Sequence, residues 1–218
     1  MKKTIKRLLG MICLTACVVS LFSTDVFAAE KDTTSENVIT SEESKEAFYE
    51  HDYLFIGDSR FVGMNKAGVK KKNITWIMHK GARYDLYWQN RDQIAAMDKD
   101  TIVVYELGIN DMAYQAEIAT LQDLDSMGFY RVYYMAIMPV DEELEAENTD
   151  TVDPRLNADI KTMNKLVKKG LPEDVVFIPQ FKMEVKTKDG LHYKKETYLK
   201  WYRKMVKFIG EDLINEGL

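Results

Sequence analysis

Five short apolar runs, separated by stretches with helical spacing, constrain this chain more than any other feature. Residues 53–56 (YLFI, ended by Gly57), 74–78 (ITWIM), 101–105 (TIVVY), 130–136 (YRVYYMA) and 175–178 (VVFI, stopped at Pro179) have the length and the β-branched or aromatic content of strands. Near-continuous apolar runs suit strands buried on both faces of a parallel sheet. Residues 85–97 and 113–127 read as helices. Leu156, Ile160, Met163 and Val167 recur at helical spacing, with Asp153 as N-cap and Pro154 in the first turn. Tyr198, Tyr202, Met205, Ile209 and Leu213 stripe a last helix. This alternation predicts an open α/β sheet with helices on both faces. In such folds function gathers beyond the carboxyl ends of the strands.

The N-terminus reads as an address. Lys2, Lys3, Lys6 and Arg7 precede a mostly apolar run over 8–22, and Val26-Phe27-Ala28 offers a signal-peptidase site. The apolar run is about 15 residues, short against the roughly 20 that span a membrane. A signal peptide over 1–28, cleaved after Ala28, is therefore the expectation, and a membrane anchor the lesser reading. Leu14-Thr15-Ala16-Cys17 resembles a lipoprotein box, but Val18 to Phe22 stays apolar where a lipoprotein turns polar. The expected location is extracellular or at the cell surface. Residues 29–47, rich in Ser, Thr and acidic side chains, read as a flexible polar linker ahead of one domain over 48–218.

Composition then removes several classes of function. Against 30 Lys+Arg stand 35 Asp+Glu, a net charge of −5 that becomes −8 once residues 1–28 are gone. Neither value suits a nucleic-acid binder, which carries a basic face. The two cysteines, Cys13 and Cys17, fall within the signal. The rest of the chain has no means for a disulfide scaffold, a cysteine metal site or a cysteine nucleophile.

Chemistry gathers after the strands. Gly57-Asp58-Ser59 follows the first, Gly81 the second, Gly108-Ile109-Asn110-Asp111 the third, and Asp189-Gly190-Leu191-His192 the fifth. A serine hydroxyl is a poor nucleophile until a base takes its proton, and an imidazole, with an ordinary pKa near 6.5, suits that task. His192 is a suitable base, and Asp189, three residues earlier, can reach its second nitrogen. The backbone N–H groups of Ser59 and Gly81 and the Asn110 amide can face the oxyanion of an acyl-transfer intermediate. One such donor is typically worth about 3 kcal/mol in the transition state. Glycine at 81 would let backbone approach a substrate closely.

These residues resemble the SGNH, or GDSL-like, hydrolases, named for Ser, Gly, Asn and His in four sequence blocks. The matching positions are Ser59 in GDS, Gly81, Asn110 in G-x-N-D and His192 in D-x-x-H, and the resemblance runs from about Leu54 to His192. It implies a flavodoxin-like three-layer α/β/α fold with a mainly parallel five-stranded sheet. It also implies Ser59 as nucleophile, His192 as base, Asp189 as its orienter, and neither a metal nor an organic cofactor. Gly-x-Ser-x-Gly is absent, since Phe61 follows Arg60, so the nucleophile elbow of α/β-hydrolases is not indicated.

Neighbouring residues carry competing readings. Arg60, Arg83 and Tyr84 are candidate substrate contacts, although an arginine beside a loop more often makes a structural ion pair. Tyr87 and Trp88 fit a sugar-stacking surface less well than core packing. Asp111 reads as a brace for the Asn110 loop, His51 and His79 as surface residues, and the acidic run 141–150 as a solvated loop rather than a pocket rim or lid. Lys182, Lys186, Lys188, Lys194 and Lys195 suit an acidic polymer, but ordinary solvation outweighs that. The expected function is a secreted serine esterase removing short acyl groups from a carbohydrate or cell-envelope polymer. A lysophospholipase or lipase, an O-acyltransferase, and a silent carbohydrate-binding protein are the rivals.

Overall fold

The computed structural model describes residues 39–148 and 155–218. The signal over 1–28, the first part of the expected linker, and Asp153 with Pro154 lie outside those residues. Five strands, β1 (Tyr53–Gly57), β2 (Ile74–Met78), β3 (Ile102–Glu106), β4 (Arg131–Met135) and β5 (Val175–Ile178), form one all-parallel sheet in the order β2-β1-β3-β4-β5. Seven helices accompany them among the described residues: α1 (Ser41–Tyr49), α2 (Ser59–Lys66), α3 (Asp85–Ala95), α4 (Tyr114–Ser126), α5 (Glu142–Asn148), α6 (Asn157–Gly170) and α7 (Lys195–Glu216).

Alternation along each strand divides the core. Tyr53 and Phe55 of β1 face the layer of α1, α2 and α7, where Phe61, Met64, Trp201 and Met205 are buried. Leu54 and Ile56 point the other way, onto Tyr87 of α3, Leu121 of α4 and Ile160 of α6. The expectation of two-sided burial holds for β1 and β3, every residue of which is buried. It fails for β2 and β5, which lie at the two edges and are only partly covered. The stripe on α7 packs as expected, with Tyr198, Tyr202, Met205, Ile209 and Leu213 all buried.

Three expectations need correction. The linker ends early: Thr40 caps α1 in a reciprocal box with Glu43, Ser44 is buried, and Phe48 stacks on Tyr53 at 4.2 Å between ring centroids. A polar nonamer thus joins the domain through one capping box and one aromatic anchor. The acidic run is not a solvated loop, because residues 142–148 form α5 and Glu145 is fully buried. Leu156 sits at the N-cap of α6 and is 44% exposed, so the apolar stripe starts at Ile160.

Register levels the strand ends. Gly57 of β1 pairs with Met78 of β2 and with Glu106 of β3, so the loops after all three leave from one rim. The strand order reverses between β1 and β3, and such a switch point opens a crevice.

Candidate active site

Ser59 opens α2, and the residue before it puts it there. Asp58 caps that helix, its Oδ1 accepting the Arg60 N–H at 2.7 Å, and leaves Ser59 on the first turn. Ser59 is only 6% exposed, but it borders a cleft of about 770 Å³ together with Gly81, Asn110, Asp189 and His192. The structure brings these five residues, which the sequence places in separate segments, to the lining of one cleft.

His192 bridges the other two. Its Nε2 lies 2.9 Å from Ser59 Oγ and its Nδ1 2.7 Å from Asp189 Oδ2. The other carboxylate oxygen, Oδ1, accepts the backbone N–H of His192 at 2.7 Å and that of Leu191 at 3.1 Å. Burial pushes the Asp189 carboxyl up, but the His192 N–H groups and charge, with the Leu191 N–H, outweigh it and hold the carboxyl below its ordinary value. A Thr187–Tyr193 bridge closes the loop around this turn. Gly190 sits at φ +88°, and a Cβ there would meet the Glu145 backbone nitrogen at 2.2 Å. Only glycine satisfies both constraints.

The expected oxyanion donors differ in availability. Among the described residues, neither the Ser59 nor the Gly81 backbone N–H donates to a protein acceptor. Gly81 takes φ +70° with open space where a Cβ would be, so the turn rather than close packing requires glycine there. Asn110 Nδ2 donates to Ala82 O at 2.8 Å and, at 3.2 Å, to Asp58 Oδ2. The longer bond is the one a substrate oxygen can share.

Arg155 completes this side, and sequence reasoning passed over it. Its guanidinium donates to Asn110 Oδ1 at 3.0 Å, to Ile109 O at 3.0 Å and to Glu145 Oε1 at 2.7 Å. With its oxygen held, the Asn110 amide has one orientation. Glu145 therefore braces both halves of the site, through Arg155 to Asn110 and by its backbone against Gly190. The sole hint in the sequence was an acidic run ahead of an arginine.

The other proposed contacts fare differently. Arg60 is fully buried, donating to Met138 O at 2.7 Å and lying 5.1 Å from the Tyr193 ring centroid, so it is not a substrate contact. Helical rotation turns the residue after Ser59 away from the cleft. Arg83 and Tyr84 are exposed and stand outside the cleft lining, and Tyr84 gives its N–H to Asp111 Oδ2 at 3.4 Å. That bond, with the Ala113 N–H on Asp111 Oδ1, fits the bracing role of Asp111. Tyr87 is buried in the core and Trp88 is exposed. Lys188 and Lys195 line the cleft, while Lys182, Lys186 and Lys194 do not. Lys66 and Lys80, which the sequence did not single out, do.

Beneath the serine lies a buried acidic layer. Both oxygens of Glu106 lack partners among the described residues, and burial, then the neighbouring Asp58, push its carboxyl well above the ordinary range. Burial raises the Asp58 carboxyl too, against the pull of Arg60.

No family model matches the chain, and no curated protein matches it by sequence. Solved structures do match in fold. A candidate acylhydrolase from Bacteroides fragilis superposes with a TM-score of 0.58 at 18% identity, over 75% of this chain and 88% of that one. An acetylxylan esterase from Geobacillus stearothermophilus gives 0.53 at 13% identity, over 73% and 94%. A lipase/acylhydrolase from Enterococcus faecalis gives 0.52 at 14% identity, over 74% and 96%. At these identities the likeness is one of fold, and the α/β fold expected from the resemblance is the one these neighbours share.

Proposed function

We propose that this chain is a secreted serine esterase that hydrolyses short O-acyl esters of a carbohydrate or cell-envelope polymer. The observation that carries the reading is the continuous hydrogen-bonded line from Asp189 through His192 to Ser59 Oγ, at 2.7 and 2.9 Å, opening into a cleft. In the reaction His192 Nε2 takes the Ser59 proton as Oγ attacks the acyl carbon, and Asp189 steadies the imidazolium. The Ser59 and Gly81 N–H groups and Asn110 Nδ2 meet the developing oxyanion. Collapse breaks the bond to the alcohol, which leaves with the proton from His192. Water, deprotonated by the same base, then releases the acid and restores Ser59.

The acetylxylan esterase among the fold neighbours supports testing an acetyl group on a sugar first. The signal-like segment over 1–28 supports an extracellular or envelope substrate. Turnover of 4-nitrophenyl acetate and of acetylated xylo-oligosaccharides tests the reading. The parent is expected to hydrolyse at least one of them, and Ser59→Ala to lose about 1,000-fold or more in kcat. Retention of activity by Ser59→Ala would refute it.

A further inference from the structure

We infer that the substrate is an anionic ester, its acyl group carried on an alcohol that bears carboxylate or phosphate groups. This rests on the esterase reading of the same cleft and adds what the alcohol must look like. Lys66 ends α2, Lys80 follows β2, Lys188 precedes the Asp189–His192 turn, and Lys195 begins α7. Four separate segments thus each contribute a lysine to the lining of one cleft. All four are exposed, and among the described residues none has a carboxylate within 4.0 Å.

The lining offers nothing to offset them. Asp189 is its one carboxylate, and it is held by His192. The fifth cation, Arg155, is already matched by Glu145 at 2.7 Å. Four lysines without a carboxylate partner therefore line the serine's cleft on a chain whose net charge is −5, opposite in sign to the molecule as a whole. A cleft lined by one sign of charge concentrates ligands of the other and raises their on-rates by roughly 10- to 1,000-fold. Lysine, a mobile point charge, suits carboxylate and phosphate oxygens alike without demanding one geometry. A neutral polysaccharide would leave all four without counterparts.

Two matched pairs of probes test this: acetylated oligogalacturonate against its carboxyl-reduced form, and acetylated poly(glycerol phosphate) against acetylated polyglycerol. Turnover is measured with the full chain and affinity with Ser59→Ala, at low and high salt. The charged member of at least one pair is expected to win by roughly tenfold or more, with the advantage shrinking in salt. The ratio should collapse toward unity in a Lys66→Glu, Lys188→Glu double variant, both positions being exposed. Which pair responds separates carboxylate from phosphate. Parity, or preference for the neutral members, in both pairs overturns the inference and leaves the esterase reading standing. A charge preference in binding without turnover of any ester supports the selectivity and overturns the esterase reading. Parity in both pairs with retention on phosphatidylglycerol vesicles overturns the inference in favour of a membrane surface.

Discussion

Asp189 has a separate task for each oxygen: Oδ1 closes the turn by accepting the His192 and Leu191 N–H groups, and Oδ2 holds the imidazole. Asp189→Asn can keep the first task and loses the charge needed for the second. Its kcat is expected to fall by about 10⁴ with KM within a few-fold, and a loss under tenfold in steady-state assays would contradict the orienting role. The base must be neutral to accept the serine proton, so kcat/KM should drop on the acid side as an imidazole takes up a proton. Asp189, held below its ordinary value, stays ionised across that range and adds no second step. A profile with no loss of activity on the acid side would count against His192 as the base. Ser59, Asp189 and His192 were legible in the sequence as a GDS motif directly after β1 and a D-x-x-H motif in the segment that follows β5. Arg155 was not, because its role depends on Asn110, 45 positions away in sequence. Arg155→Lys can still pair with Glu145 but has no fork to reach Asn110 as well. A 10- to 100-fold fall in kcat, roughly, with little change in KM is expected, and an unchanged kcat would detach Arg155 from the oxyanion side.

α5 is the element on which both sides of the site converge, and the sequence hid it. Seven residues with three acidic side chains in the first turn look solvated until Glu145 is seen buried against Arg155 and Gly190. α1 was hidden for the same reason, a polar segment whose membership rests on Phe48 and a capping box. The strands were legible as short apolar runs, and α7 because its buried face repeats at helical spacing. Gly190→Ala combines a left-handed backbone angle with a clash on the α5 backbone. It is expected to cost about 2–4 kcal/mol, read by chemical denaturation, and to reduce turnover as the turn shifts. A variant as stable and active as the parent would show that α5 does not fix the turn.

The folded chain also carries proton-linked stability through its buried carboxyls. Burial pushes Glu117, which accepts the Tyr105 hydroxyl, up to about 8 from an ordinary 4.5. Below the ordinary value both states hold the proton and nothing changes with pH. Between the two values the folded chain keeps a proton that the unfolded chain has released, so stability falls as pH rises, by a few kcal/mol in order of magnitude, and levels off above the upper one. Glu117→Gln removes this dependence. Its Tm should gain on the parent steadily as pH is raised through that window, while any offset from packing the amide stays constant. A Tm difference independent of pH would place the linkage elsewhere. Activation of Ser59 is read by intact mass after exposure to a fluorophosphonate. One adduct on the parent and none on Ser59→Ala is the expected result. A folded parent that takes up no adduct would contradict it.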